Sequence, residues 1–92
     1  TGIGELAGVS NISIFPNPGQ GVFTLQMLSE KPMEINISIY NNVGVNVYQE
    51  EKRMIKETEN IRIDLGNQPS GIYMLNVYNR SGQWIEKLVI RK

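Results

Sequence analysis

The chain of 92 residues contains no cysteine and no histidine, and its only aspartate is Asp64. A thiolate nucleophile, a histidine base and a Cys/His zinc site are therefore excluded within this sequence. The glutamates are not clustered in the way that a calcium-binding loop requires. We therefore predict that the domain is not an enzyme and that it uses no metal and no cofactor.

The sequence also lacks an excess of charge of either sign, because nine Lys and Arg balance nine Asp and Glu. A nucleic-acid-binding domain normally carries a basic excess, so we expect no nucleic-acid partner. No apolar run approaches the roughly 20 residues of a membrane helix, so no such helix is predicted. A net charge of zero permits self-association but does not require it.

Apolar residues recur at every second position in several short runs, which is the pattern of half-buried β-strands. The clearest run places Ile35, Ile37 and Ile39 on one face, opposite Asn36 and Ser38. Glycine, proline and asparagine separate the runs, as expected for turns. This spacing predicts an all-β fold, with a two-sheet antiparallel sandwich favoured over a barrel. About seven strands are predicted, near residues 11–15, 21–28, 33–41, 45–50, 59–65, 71–79 and 83–91.

Three segments do not follow the alternating pattern. Residues 1–10 are small and rich in glycine, so we expect a flexible linker ahead of a domain spanning 11–92. Glu50–Glu59 is predicted to be a solvated crossover between the sheets, with a helical turn or a charged edge as alternatives. Leu88–Ile90 is apolar throughout, which is compatible either with a strand covered on both faces or with a strand that exposes one of the three residues. Because the chain begins at Thr1 instead of Met and ends at Ile90–Lys92 with no tag or linker behind it, we expect it to be the carboxyl-terminal piece of a longer protein.

The aromatic residues allow a second functional interpretation. Tyr73 is expected to pack inward with its hydroxyl on a backbone acceptor. Tyr40, Tyr48, Tyr78 and Trp84 are candidates for outward faces, where a stripe of aromatic rings could bind sugar. Their spacing does not establish such a stripe, since scattered exposed aromatics are common.

Three blocks of sequence stand in a characteristic order. The first is Ile14–Pro18, which contains a Pro-Asn-Pro turn, with Gly21 and Phe23 behind it. The second is Ile37–Gly44, followed by Val47. The third comprises Ile63–Leu65, Pro69–Leu75, Gly82 and Lys87–Lys92. From about Asn11 to Lys92 this order resembles the type A carboxyl-terminal sorting domains of the type IX secretion system of Bacteroidota. The chain departs from that pattern at Val45, where many members carry a basic residue.

The resemblance implies a seven-stranded Ig-like sandwich and a role as a secretion signal. Such a domain directs the upstream cargo domain, after its passage into the periplasm, through the outer membrane to the cell surface or the medium. The implied partners are the outer-membrane translocon with its shuttle proteins and a sortase-like peptidase that removes the domain. We expect the peptidase to cut within residues 1–10 or just upstream of them.

Within this interpretation, the Pro-Asn-Pro turn and the last strand are predicted to supply the surface that the translocon reads. The candidates for that contact are Pro16, Asn17, Pro18, Gly21, Lys87, Val89 and Lys92. Four further motif residues are expected to serve the fold: Gly44, Gly71, Tyr73 and Leu75. A purely structural turn also explains the two prolines. Two other functions stay open from sequence alone. One is an Ig-like or fibronectin-like accessory module that binds carbohydrate or a neighbouring domain, and the other is a structural cap.

Overall fold

The computed structural model describes the backbone of residues 3–5 and all of residues 8–92. Within these ranges the chain forms eight β-strands. They are β1 (Ile3–Glu5), β2 (Val9–Phe15), β3 (Val22–Ser29), β4 (Met33–Tyr40), β5 (Asn46–Ile55), β6 (Thr58–Asp64), β7 (Gly71–Asn79) and β8 (Gly82–Ile90). The same ranges hold no helix with the length and hydropathy needed to cross a membrane.

The strands form two antiparallel sheets that enclose one core. The larger sheet has the order β1-β8-β7-β4-β5, and the smaller has the order β2-β3-β6. Alternate residues of each strand face the other sheet, because successive side chains point to opposite sides of a strand. The buried apolar residues are Ile14, Phe23, Leu25, Met27, Ile35, Ile37, Ile39, Ile55, Ile61, Ile63, Leu65, Tyr73, Leu75, Val77, Trp84, Leu88 and Ile90. The predicted antiparallel sandwich is therefore confirmed.

The segment Glu50–Glu59 differs from its prediction as a crossover. Strand β5 continues to Ile55, and β6 begins at Thr58, so only Lys56 and Glu57 connect the two sheets. The charges of this segment belong to β5 because β5 is the edge of the larger sheet. The alternative of a charged edge is thus the correct one.

Strand β5 has structural features that oppose its pairing with a strand of another chain. Its register against β4 shifts between Glu50 and Arg53. Lys52 lies at this bulge with a φ of 56°, and its N–H donates to the Asn36 side chain at 3.0 Å. The register places Glu50 and Arg53 opposite core residues of β4, on the inner face. A bulge and inward-pointing charges on an edge strand both oppose edge-to-edge aggregation.

The amino-terminal part contains a strand that the sequence did not predict. Strand β1 pairs with β8, with Ile3 opposite Ile85 and Glu5 opposite Gln83. Strand β2 begins at Val9, two residues before the predicted boundary. The predicted linker over residues 1–10 also includes residues 1, 2, 6 and 7, which lie outside the described residues.

The aromatic side chains do not form one outward stripe. Trp84 is 7% exposed and belongs to the core, so its placement on an outward face was wrong. Tyr48 lies opposite Ile39 on the inner face at the sheet edge. Tyr40 and Tyr78 lie on the outer face of the larger sheet. Trp84 faces inward because it pairs with the buried Val77 of β7, and paired residues of neighbouring strands lie on the same face of a sheet.

Candidate functional site

The predicted recognition residues meet at one end of the sandwich. There β2, β4, β6 and β8 end, while β3, β5 and β7 begin. We call this end the PNP end, after the PNP loop (Pro16–Gly21). Its other components are the β4–β5 turn (Asn41–Val45), the β6–β7 loop (Leu65–Ser70) and the terminal residues Arg91 and Lys92.

The PNP loop pairs with the outer edge of β8 through its backbone. The Gly19 N–H donates to the Val89 carbonyl at 3.0 Å, and the Arg91 N–H donates to the Gly19 carbonyl at 2.8 Å. These two bonds form a parallel bridge between Gly19 and Ile90. Residue 19 thus acts as one residue of an additional strand beside β8.

The Asn17 side chain repeats this pattern two residues earlier. Its Nδ2 donates to the Lys87 carbonyl at 2.8 Å, and its Oδ1 accepts the Val89 N–H at 3.0 Å. The amide therefore occupies the backbone groups of β8 as a neighbouring peptide would. Since prolines on both sides of Asn17 lack an N–H, the backbone here could not pair in the ordinary way. The side chain replaces the missing donor and acceptor, and the edge of β8 is closed from Lys87 to Arg91.

Two buried glycines allow the PNP loop to approach its neighbours. Gly21 has a φ of 124°, and a Cβ there would lie 3.1 Å from the Cα of Gly66. Its carbonyl accepts the Leu65 N–H at 2.6 Å, which joins the loop to the end of β6. A Cβ on Gly19 would lie 2.7 Å from the Pro16 carbonyl oxygen. Any larger residue at either position must displace backbone.

The terminal residue is attached to the β6–β7 loop. The Lys92 N–H donates to the Ser70 hydroxyl at 3.0 Å, and its Nζ donates to the Gly66 carbonyl at 2.7 Å. The Gly66 N–H in turn donates to Asp64 at 2.8 Å. The Tyr73 hydroxyl donates to the Pro69 carbonyl at 2.7 Å, the inward packing with a backbone acceptor that the sequence predicted.

The β4–β5 turn completes the PNP end. The Asn41 Oδ1 accepts the N–H groups of Val43 and Val45 at 3.1 and 2.9 Å. Gly44 adopts a φ of 87°, and no atom lies within 4 Å of the position of a Cβ. Gly44 therefore serves the turn conformation, whereas Gly21 serves both conformation and close packing.

The surface of the PNP end is apolar and positively charged. Among the described residues, seven of the nine exposed large apolar side chains lie there, namely Phe15, Val22, Tyr40, Val43, Val45, Ile72 and Met74. Lys87, Arg91 and Lys92 are cations of this end, and Asp64 and Glu86 are carboxylates near them. Exposed apolar side chains and a group of cations therefore occur together at the PNP end.

An open depression lies on the outer side of the PNP loop. It has a volume of about 540 Å³ and is lined by Pro16, Pro18, Gly19, Gln20 and Val22. Both prolines are exposed, so their rings are available to a partner. The lining has no charged group, which suits contact with an apolar segment better than binding of a charged ligand.

The ionisable cluster with shifted pKa values lies on the edge strand β5. Arg53 donates to Glu50 at 2.8 Å, and this bond lowers the pKa of the Glu50 carboxyl. The Tyr48 hydroxyl donates to the same carboxyl at 3.0 Å. Burial, together with that carboxylate, raises the pKa of Tyr48 to about 12. The ion pair at the rim of the core thus contributes to both pKa shifts. Each oxygen of the Glu50 carboxylate already has a hydrogen-bond partner.

The sequence-based candidates fall into two groups. Pro16, Pro18 and Lys87 present exposed side chains, while Asn17, Gly21 and Lys92 bond or pack against neighbouring segments. The half-buried Val89 does both, because its backbone bonds to the PNP loop while its side chain lies on the outer face. Leu75 is fully buried opposite Ile39, and Gly71 begins β7 opposite Ile90.

Gly19 and Ser70 were not singled out from the sequence. A signal for Gly19 was available, because two glycines flank Gln20 and only one of them was given a role. No signal pointed to Ser70, whose hydroxyl accepts from a residue 22 positions away.

The fold and this end of it define the class of the protein: a small antiparallel β-sandwich in which a proline-rich loop closes the edge of the last strand. Residues 13–91 match the family of secretion system C-terminal sorting domains, and the chain belongs to that family. This match confirms the resemblance to the sorting domains of the type IX secretion system. Membership implies interaction with that secretion machinery and export through the outer membrane to the cell surface or outside. No curated protein gave a significant match.

Proposed function

We propose that this domain is read by the type IX translocon as a folded surface, and that the PNP end is that surface. The observation that carries the proposal is the pairing of the PNP loop with β8, because it joins motif blocks about 70 residues apart. An extended chain would present these blocks separately. The exposed apolar side chains and the positive charge at the same end supply the means of recognition.

Within this surface the residues divide by role. Pro16, Pro18 and Lys87 contact the translocon or its shuttle proteins, and Asn17 and Gly21 hold the loop in place. A loop fixed in this way loses little conformational entropy on binding, which favours recognition. The domain itself carries out no catalysis.

The cargo passes through the periplasm before the domain is recognised, and a sortase-like peptidase then removes the domain. A peptidase needs an unpaired, extended substrate, and Ile3–Glu5 pair with β8. Cleavage upstream of Ile3 is therefore favoured over cleavage within β1. A cut there separates the cargo from the complete sandwich.

A transport assay tests the proposal. The 92-residue chain is fused behind a periplasm-directed fluorescent reporter, in a strain with a working type IX system and in one lacking its translocon. We expect the reporter outside the cell only in the working strain, and shorter by about the 10.4 kDa of the domain. A folded fusion that stays in the periplasm of both strains would refute the sorting function and favour an accessory binding module.

A double substitution tests the role of the loop. Pro16→Ala/Pro18→Ala should reduce export while the purified domain stays folded. Pro32→Ala is the control, since Pro32 is exposed in the β3–β4 connection at the opposite end. Equal export of the double variant and the control would show that the two prolines do not contact the translocon.

A further inference from the structure

The outer face of the larger sheet carries an apolar patch next to the PNP loop. Tyr40, Met74 and Lys87 lie side by side on β4, β7 and β8. Ile72 and Val89 form the neighbouring row. Tyr40, Met74 and Ile72 are 37%, 41% and 49% exposed. We call Tyr40, Ile72, Met74 and Val89 the outer patch, with Lys87 at its border.

We propose that the outer patch docks a protein of the export machinery that presents apolar side chains bordered by carboxylates. This inference rests on the proposed function and specifies its partner. Lys87 projects beside the patch, and the exposed Arg91 follows directly after the same strand. The nearby carboxylates lie elsewhere: Asp64 is on β6 of the other sheet, and Glu86 is opposite the buried Leu75, on the inner face of β8. A partner with carboxylates around an apolar centre is therefore complementary to this face in charge and in polarity.

A second copy of the chain fits this face less well. Two-fold pairing through the outer patch would bring the two copies of Lys87 close together, and like charges facing each other across an interface oppose association. Three strands and two rows of side chains also cover only on the order of 200 Å² at ordinary strand spacings. A stable dimer needs about 800 Å² from each partner. A small patch suits a transient contact during export.

A membrane surface also fits less well. The side chains of the patch lie flat on a sheet and are more than half covered, so they would insert little into a bilayer. The same face continues into a polar network in which Ser38 donates to Gln49 at 2.7 Å and Gln49 donates to Tyr78 at 3.3 Å. Contact with lipid tails would desolvate these groups, whereas a protein partner can bond to them.

Paired substitutions test the proposal in the transport assay described above. Ile72→Thr/Met74→Gln removes apolar surface from the patch and keeps residues compatible with a strand. Leu28→Thr/Met54→Gln is the matched control, because Leu28 and Met54 are 37% and 54% exposed at the opposite end. We expect the patch variant to lose about tenfold or more in export, given the apolar area removed, and the control to lose less than about twofold.

A charge reversal provides an independent test. Lys87→Glu should reduce export, whereas Lys31→Glu, at the opposite end, should not. Thermal unfolding of each purified variant, with a transition like that of the wild type, establishes that the variants fold. If the wild-type domain is exported and Ile72→Thr/Met74→Gln and Lys87→Glu are exported equally well, the docking surface is overturned. The sorting function is then left intact. Failure of the wild-type domain itself to be exported would refute the sorting function.

Two binding measurements test whether a second copy of the chain or a membrane surface covers the outer patch instead. The wild-type domain should sediment as a monomer and should not bind vesicles of phosphatidylcholine with anionic phosphatidylglycerol. A dimer that Ile72→Thr/Met74→Gln dissociates would overturn the proposal in favour of self-association. Vesicle binding that the same variant abolishes would overturn it in favour of a lipid surface.

Discussion

Replacing Asn17 with alanine should loosen the carboxyl-terminal strand. The substitution removes both bonds of the Asn17 amide and exposes the Lys87 carbonyl and the Val89 N–H at the sheet edge. Each hydrogen bond contributes about 0.5–1.5 kcal/mol net. Because Asn17 is exposed, water can replace part of this interaction, and we expect a loss of about 1–2 kcal/mol. For a domain of this size each kcal/mol lowers the melting temperature by about 4–8 °C.

Urea denaturation of the purified domain measures this loss, and amide hydrogen exchange locates it. Exchange at Val89 should accelerate because its N–H loses its acceptor. Asn67→Ala is the control, since Asn67 lies exposed in the β6–β7 loop and takes part in no side-chain hydrogen bond among the described residues. If Asn17→Ala were as stable as Asn67→Ala, with unchanged exchange at Val89, the edge-closing role of Asn17 would be disproved.

Four further outcomes can be checked on the purified domain. Gly21→Ala should cost about 2 kcal/mol or more and Gly44→Ala about 1 kcal/mol, because only the former adds a steric conflict to an unfavourable φ; equal losses in denaturation would contradict this. Tyr73→Phe should cost about 1 kcal/mol through loss of the bond to a backbone carbonyl, and an unchanged urea midpoint would count against that bond. Glu50 has a lowered pKa, so its stabilising effect exists above its unfolded value of 4.5 and is lost as the pH falls through the folded value. The stability difference between wild type and Glu50→Gln should therefore shrink in acid, and a constant difference from pH 7 to pH 3 would exclude the effect. Burial and the Glu50 carboxylate raise the pKa of Tyr48 to about 12, so Glu50→Gln should move the ionisation of Tyr48 to lower pH in an absorbance titration.

Sequence periodicity determined the strands because burial on one face imposes alternation that can be read locally. The three isoleucines of β4 are fully buried, as their spacing predicted. The strand ends could also be predicted locally, since glycine and proline affect the conformation of their own backbone. The motif order was sufficient to identify the family, whose model matches residues 13–91.

Tertiary structure decided what the strands pair with. Glu50–Ile55 is charged because it forms a sheet edge, and edge position depends on the order of strands rather than on local sequence. Trp84 is buried because β8 aligns it with Val77. The short strand β1 exists only through its pairing with β8. The pairing of β1 with β8 joins distant segments, while Val77 and Trp84 belong to one hairpin whose register the local pattern did not reveal.

The same distinction applies to the PNP loop. From the sequence alone, its two prolines indicated a rigid turn, since each fixes its own backbone and lacks an N–H. The role of Asn17 depends on a strand 70 residues away, which local chemistry does not specify. Folding brings that strand beside the loop, and the side-chain amide then completes the ladder that the prolines interrupt. The clustering of exposed apolar side chains at this end has the same origin, because it depends on which strand ends meet.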